Sequence, residues 1–446
     1  MKWLWLFLVP LFNSHLYSQD LFEKAVGGDT LGAAISQRTA FELNGYLRGD
    51  FYAGKVPNED KAEMKSGYSE LSLKFRIRRQ DLGDAFAEVR FRWGHEFGEK
   101  IDEVGIREVY VSTYVGRFDF RLGRQIVVWG RADGFNPTDN ITPEDPLVRS
   151  PNEDDRREGN FIIRSYFNYQ PLRIEAIWVP IYEASVLPTS ILSLPPGITF
   201  MAPDFPGANL ENNSFALKTN LELASFDGSL SYFNGYNPSP GIGIVAKRVT
   251  PTGIEIDIMP RAYRLHVLGA DFSTSLLRSI GLRGEFAYGM PFDDWESAYY
   301  IPNPDLQYVI GIDKEFDGTF SIILQYVGRH VFDFIDLAPP ASPTEIPEHQ
   351  IAFRNRLITF QRDEVIHAVS FRPEVKLMYE TLSLEILGLY SFTTEELVLR
   401  PQAAYDIADA LTFAVGGEIY SGPEDTLYGS LDSQLSAFFV ELKSSF

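Results

Sequence analysis

The chain has 446 residues, a formal net charge of -21 and no cysteine, so a disulfide framework and thiolate metal sites are excluded. The acidic balance argues against a nucleic-acid partner, because the phosphates would be repelled. Aromatic residues make up 14% of the chain, which argues against disorder, and no stretch after the first twenty residues reaches the roughly eighteen consecutive apolar residues of a spanning helix.

The N-terminal segment has the pattern of a secretory signal peptide. Lys2 supplies one positive charge, residues 3–12 form a short apolar core, and small or polar residues then lead to Ser18. We expect residues 1–18 to be removed during export and residues 19–41 to form a short periplasmic lead-in. Such a lead-in is too short for the large plug of a siderophore receptor.

From residue 42 onward the sequence falls into short segments with period-two alternation. Residues 71–78 and 87–93 are the clearest cases, with apolar side chains on one face and charged or polar ones on the other. In a soluble sandwich the apolar face would cover a core. In a membrane barrel the apolar face meets lipid and the polar face lines the lumen.

The lengths of the connections separate these two interpretations. We place eighteen strands, with sixteen as the alternative, and short connections alternate with mostly longer ones such as 55–65, 129–159, 181–211 and 237–260. Short turns on one rim and long loops on the other are typical of outer-membrane barrels. Residues 42–446 are therefore predicted to form an all-β, transmembrane antiparallel β-barrel in the bacterial outer membrane. The segment 349–363 fits neither period well and is interpreted as a short helix in a loop.

The C-terminus carries an assembly motif. One face of the last strand is apolar up to the terminal residue, with Ser444 as the exception; the apolar positions are Phe438, Val440, Leu442 and Phe446. A terminal aromatic residue after alternating apolar positions resembles the recognition signal of the barrel-assembly machinery. That machinery and outer-membrane lipid are therefore the expected partners.

The residues offer no catalytic or metal site. The most tempting pair for nucleophilic chemistry is His367 and Ser370, but residues three apart on a strand point to opposite faces. The other histidines show no metal-ligand spacing. We expect no enzymatic activity, no metal and no cofactor.

Parity places a large set of charged side chains on the inner face of the barrel. Unpaired ions cost several kcal/mol each in a dry interior, so these charges must pair across strands or face water. This favours a charge-lined channel over a plugged barrel. Arg76, Arg78, Arg90 and Arg92 are expected to form one positive stripe. The predicted inner charges are Arg76, Arg78, Glu88, Arg90, Arg92, Arg121, Arg164, Arg283, Glu285, Arg372, Glu374 and Arg400.

The long acidic loop 129–160 and the strand before it carry a recognisable series of residues. Leu-Gly-Arg-Gln at 122–125 is followed by Val-Trp-Gly at 128–130, Ala-Asp-Gly at 132–134 and an Asn-Pro element before an acidic turn. Over residues 104–180 this resembles a porin-like family of outer-membrane barrels of unknown function. Members often accompany resistance-nodulation-type exporters, which implies an inner-membrane exporter as partner and amphipathic or lipid-like cargo.

Two loops have further interpretations. Loop 129–160 is long enough to fold into the barrel and narrow it; its acids suit Ca²⁺ or Mg²⁺, but without EF-hand spacing a solvated acidic loop is favoured. Loop 186–210 is apolar and proline-rich, and it contacts hydrophobic cargo, the outer leaflet or the barrel mouth. The leading expectation is a porin-like channel for small solutes. The alternatives are a conduit for hydrophobic or lipid-like molecules and a non-conducting structural or adhesive barrel. No oligomer interface is indicated.

Overall fold

The computed structural model describes residues 39–56, 61–79, 82–187, 197–251, 253–277, 279–292, 295 and 298–446. The predicted signal peptide and most of the predicted lead-in lie outside the described residues. No helix in the described part of the chain is long and apolar enough to cross a membrane.

Eighteen antiparallel strands form one closed sheet, which confirms the predicted barrel and its larger strand count. The first strand begins at Thr39, slightly before the predicted start of the barrel at residue 42. In chain order the barrel strands are β1 (Thr39–Lys55), β2 (Ala62–Arg79), β3 (Gly83–Glu96), β4 (Glu99–Val115), β5 (Phe118–Gln125), β6 (Asn160–Tyr169), β7 (Leu172–Val179), β9 (Ser214–Glu222), β10 (Phe226–Tyr236), β13 (Arg264–Leu277), β14 (Ile280–Pro291), β15 (Asp305–Phe316), β16 (Phe320–Val331), β17 (Val365–Leu377), β18 (Leu382–Ser391), β19 (Leu397–Ala408), β20 (Leu411–Ser421) and β21 (Ala437–Ser445).

The barrel closes where the last strand pairs with the first. Residues 46–53 of β1 pair antiparallel with residues 438–445 of β21. Beyond the last strand, the backbone of Phe446 both donates to and accepts from that of Gly45, at 3.0 and 2.9 Å. The seam is therefore hydrogen-bonded up to the final residue.

The connections sort by rim as predicted, with two exceptions. Short turns such as 116–117 and 170–171 share one rim with the start of β1 and the end of β21. The other rim carries the long loops, except for a two-residue turn at Phe97–Gly98 and the short connection 392–396. In outer-membrane barrels the short turns face the periplasm, so the two rims are named periplasmic and extracellular below.

Two unlike faces follow from the period-two alternation of each strand. On β1, Leu47 and Phe51 are exposed on the outer surface, whereas Arg48, Asp50 and Tyr52 are buried inside. Because successive strand residues point to opposite sides, the alternating pattern places apolar side chains against lipid and polar side chains in the lumen. On β21, Phe438 and Leu442 are exposed, as is Phe446 beyond it.

Three of the extracellular loops build a small satellite layer. Loops 181–211 and 237–260, which the sequence left without secondary structure, contribute β8 (Ile198–Phe200), β11 (Gly241–Thr250) and β12 (Gly253–Arg261). Isoleucines alternating along β11 and β12 bury one face of this sheet against the helix α1 (Ile346–Ile358), which overlaps the segment 349–363 that was interpreted as a loop helix. Shorter helical turns are Glu153–Arg156, Leu210–Asn212, Leu427–Ser430 and Asp432–Leu435.

Candidate functional site

The connection between β5 and β6, residues 126–159, folds into the lumen and is named the inner loop. Its side chains and backbone reach β1, β3 and β4 on one side and β13, β14, β17 and β19 on others. A segment that contacts strands around the barrel must lie inside it. Apolar residues of its first half, Val127, Trp129 and Ile141, also pack against the barrel wall.

The first anchor of the inner loop is the buried carboxylate of Glu285 on β14. It accepts from the backbone N–H groups of Arg131 at 3.0 Å, Ala132 at 3.2 Å and Thr138 at 2.8 Å, and from the Thr138 hydroxyl at 2.8 Å. Gly130 sits directly over this carboxylate with φ +107°, and a Cβ there would lie 2.5 Å from Oε2. Glycine is therefore required where the loop passes the wall.

Charged pairs hold the same part of the inner loop from the neighbouring strands. Arg131 lies 2.6 Å from Asp271 on β13, a carboxylate that Lys218 also contacts at 2.9 Å. Asp133 lies 3.0 Å from Arg372 on β17. These pairs are partly buried or buried, so solvent screens them less than surface pairs.

The second anchor is Asp155, which is buried near the end of the inner loop. Its carboxylate lies 2.7 Å from Arg48, 2.9 Å from Arg90 and 3.3 Å from Arg107, and it accepts from the Ser150 hydroxyl at 2.6 Å. Burial by itself would raise the pKa of this carboxyl, but the arginines outweigh it and lower the pKa from 3.8 to about 2. Asp155 is therefore ionised at neutral pH.

The third anchor is a buried network around Glu418 on β20. Arg149 of the inner loop lies 2.5 Å from one carboxylate oxygen and Arg400 on β19 lies 2.8 Å from the other. Arg400 also contacts Glu153 of the inner loop at 2.5 Å. The predicted solvated acidic loop is wrong for Asp133 and Asp155, because these acids pair with arginines inside the barrel. Glu153 contacts Arg400 but remains exposed.

The expected single stripe of four arginines does not form. Arg90 and Arg92 are largely buried at the level of the inner loop; Arg90 pairs with Glu88 at 2.8 Å and with Asp155, and Arg92 lies 3.1 Å from Glu70. Arg76 and Arg78 lie nearer the periplasmic rim. The period-two alternation tells which face of the strand a side chain occupies, but not which carboxylates lie near it. The sequence therefore predicted one stripe of four arginines, whereas the structure has two separate groups of two.

A separate group of arginines lies on the periplasmic side of the inner loop. Arg76, Arg121 and Arg173 each stack on an aromatic ring, with distances of 5.1, 4.2 and 4.1 Å from the guanidinium carbon to the ring centre. Among the residues that the structure describes, none of these three arginines forms an ion pair with a carboxylate. This group, named the stacked arginines, carries positive charge on the wall without a direct ion pair.

Other predicted residues pair along the wall. Arg164 lies 2.5 Å from Glu175, Arg283 lies 2.6 Å from Asp313, and Glu374 accepts from Ser383 at 3.1 Å. Some inner residues that complete the anchors were not predicted from the sequence, although the period-two alternation along β1, β2 and β13 places them on the inner face. The missed residues are Arg48, Asp50, Glu70 and Asp271.

The structure also shows where the candidate catalytic pair His367 and Ser370 lies and how the possible metal ligands are arranged. Ser370 contacts the inward-facing Gln325 at 3.1 Å, whereas His367 contacts Tyr326 on the outer face, so the two side chains lie on opposite sides of β17. Within the described ranges, no group of three or more His, Asp or Glu side chains is arranged to hold a metal ion. His367 and Ser370 therefore cannot act together as a base and its nucleophile.

The barrel was compared with known protein families, sequences and solved structures. No protein-family model matches the chain, and no curated protein matches its sequence. Among solved structures it is similar to OccAB4 of Acinetobacter baumannii (9% identity, 92% of this chain and 99% of that one, TM-score 0.54). It is also similar to OccK11 (9%, 91% and 96%, 0.53) and OccD3 (13%, 91% and 91%, 0.50), both of Pseudomonas aeruginosa.

These similar structures are outer-membrane porins, and the likeness extends over nearly the whole of each chain. At such low identity it shows the fold alone. The predicted porin-like outer-membrane barrel is thereby confirmed as to fold. The resemblance of residues 104–180 to a family of unknown function stays a prediction. The chain has the fold of an outer-membrane porin.

Proposed function

We propose that the protein is a channel of the bacterial outer membrane that passes small solutes through a charged lumen. The observation that carries this proposal is the inner loop, held within a closed barrel by three sets of buried ion pairs and hydrogen bonds. A loop held so firmly narrows the lumen to a defined opening. A purely structural barrel has no need of such a device. We propose no enzymatic role.

The charge on the wall supports a preference for anions. The anchors at the level of the inner loop are ion pairs, so their positive charges are neutralised nearby. The stacked arginines are not neutralised in this way, and stacking on a ring leaves the guanidinium edge free to donate hydrogen bonds. They would raise the local concentration of anions on the periplasmic side, an attraction that weakens with salt because screening sets in over about 10 Å at 0.1 M.

The reversal potential of the barrel in a planar bilayer under a salt gradient tests this proposal. We expect anion preference in the wild type and a clear loss of it when Arg76, Arg121 and Arg173 are changed together to Gln. Arg117→Gln is the matched control, because Arg117 is exposed in a periplasmic turn and stacks on the exposed ring of Tyr169. It should leave the selectivity unchanged.

Two outcomes would count against the proposal. Equal selectivity in the wild type and the triple variant would remove the stacked arginines from the permeation path. Absence of conductance from correctly folded wild type would favour the non-conducting structural barrel.

The second candidate function is a conduit for hydrophobic molecules. It is favoured by an apolar cavity on the extracellular side of the inner loop.

A further inference from the structure

A cavity of about 340 Å³ lies on the extracellular side of the inner loop. Residues 134–137 of the inner loop form its floor, and Leu357 and Phe360 border it from α1 and the residues just after it. The barrel wall contributes the ends of β15 to β18 nearest the extracellular rim. Its apolar wall residues include Val309, Val327, Ile366, Ala368 and Leu389. The inner face is therefore apolar here, unlike the charged wall around the anchors.

Most charged side chains around this cavity already have partners. Arg356 donates to the carbonyl of Ile335 and stacks on Phe334, and among the described residues it has no carboxylate at ion-pair distance. Arg329 lies 3.4 Å from Asp305 and donates to the carbonyl of Phe360 at 3.1 Å. Arg362 lies 2.7 Å from Asp425. Glu396 accepts from Thr394 at 2.7 Å and from the backbone of Tyr428 at 2.7 Å. A ligand that enters the cavity thus meets mainly apolar surface, and an ionic ligand would lose its hydration there.

A cleft adjoins this cavity on its extracellular side. The cleft measures about 350 Å³ and runs between α1 and the last extracellular loop, with Phe353 on one side and Leu431 on the other. It shares Leu357 and Leu427 with the cavity, so the two spaces adjoin. The helix is fixed beside the cleft because Asn355 binds both backbone groups of Ile242 on β11, at 2.7 and 2.8 Å.

We infer that the cavity is a binding site for a small, uncharged and mostly apolar molecule that enters through this cleft. The inference rests on the proposed function, since it names a class of solute that the channel would admit. The cavity volume lies near the lower end of the range of ligand pockets, about 300–1,000 Å³, which suits a one- or two-ring compound. From there, the solute would leave the apolar pocket past the inner loop into the charged periplasmic half.

The test uses single cysteines, because the natural chain has none. Leu389→Cys places a thiol in the cavity, and Ser383→Cys places one on the same strand but on the periplasmic side of the inner loop, beside Glu374. The rate of modification by N-ethylmaleimide is measured in lipid vesicles with naphthalene-2-methanol or with 2-naphthoate, which carries the same ring and a negative charge.

We expect the alcohol to protect Leu389→Cys and to leave Ser383→Cys unaffected. At an alcohol concentration of about five times its Kd the modification rate should fall about sixfold, because only the empty cavity reacts. The naphthoate should protect much less. Adding Ala368→Phe, which fills the cavity, should abolish the protection, with heat-modifiable migration confirming that this variant is folded.

Three results would overturn the inference: no protection, equal protection of both cysteines, or protection by the naphthoate equal to that by the alcohol. Protection that survives Ala368→Phe in a folded barrel would do the same. Conductance of both single-cysteine variants is recorded separately. A barrel that conducts without protection contradicts only the apolar site, whereas protection in a barrel that never conducts contradicts only the channel.

Discussion

One carboxylate oxygen of Glu285 lies 2.8 Å from the backbone nitrogen of Thr138 and 2.8 Å from its hydroxyl oxygen. These residues are far apart in the chain, one on the barrel wall and the other in the inner loop. The remaining oxygen of Glu285 accepts from two further backbone N–H groups of the loop. A single wall residue thus fixes the backbone position of the segment that narrows the lumen.

Replacing this residue should release part of the inner loop. In Glu285→Ala three backbone N–H groups lose their acceptor, and each buried unsatisfied donor costs about 1–3 kcal/mol. We expect faster hydrogen exchange in residues 130–138 and larger, noisier single-channel currents. Glu374→Ala is the control, because among the described residues Glu374 accepts a hydrogen bond from Ser383 alone. Unchanged exchange in the Glu285 variant would show that the loop does not depend on this anchor.

The network around Glu418 should dominate the stability of the barrel interior. Glu418→Gln leaves Arg149 and Arg400 without their shared counter-charge in a buried site, which costs about 3–5 kcal/mol. Unfolding in urea with the protein in lipid vesicles measures the change. Glu385→Gln, which breaks a partly exposed pair with Arg372, should cost only about 0–1 kcal/mol. Equal losses in the two variants would contradict the assignment of Glu418 as an anchor.

The pH dependence of the channel should reflect the low pKa of Asp155. Its pKa is about 2 in the folded protein against 3.8 normally, so its stabilising contribution is present above about pH 4 and lost as the pH falls through 2. Acidification from pH 7 to pH 4 should therefore leave this anchor intact. Single-channel conductance should change near pH 2, and Asp155→Asn should show the altered conductance already at pH 7. A transition between pH 6 and pH 4 that this variant lacks would refute the prediction.

Removal of Phe446 should impair assembly of the barrel. The residue closes the seam with two backbone hydrogen bonds to Gly45 and exposes its ring on the outer surface, where the assembly machinery could bind it. We expect less heat-modifiable protein in the outer membrane. Phe446→Ala separates the two roles, because it keeps the hydrogen bonds and removes only the ring. Normal levels of both variants would argue against the motif.

Much of the fold could be predicted because period two and loop length are local properties. The inward orientation of Glu285 and of Arg400 could be predicted in the same way, from the alternation of side chains along each strand. Their partners in the inner loop, Thr138 and Glu153, could not, because these lie more than a hundred residues away in the chain and depend on where the inner loop folds. The hairpin of β11 and β12 was missed because its isoleucines bury against α1, a contact between two distant loops.

The central claim is that the inner loop narrows an open, water-filled lumen. Its most direct test is the single-channel conductance of the wild type against a variant in which residues 133–157 are replaced by a short Gly-Ser linker. We predict stepwise conductance in the wild type and clearly larger steps in the variant, with both proteins heat-modifiable. If both barrels fold and neither conducts, or if the steps are equal, the inner loop does not control a channel.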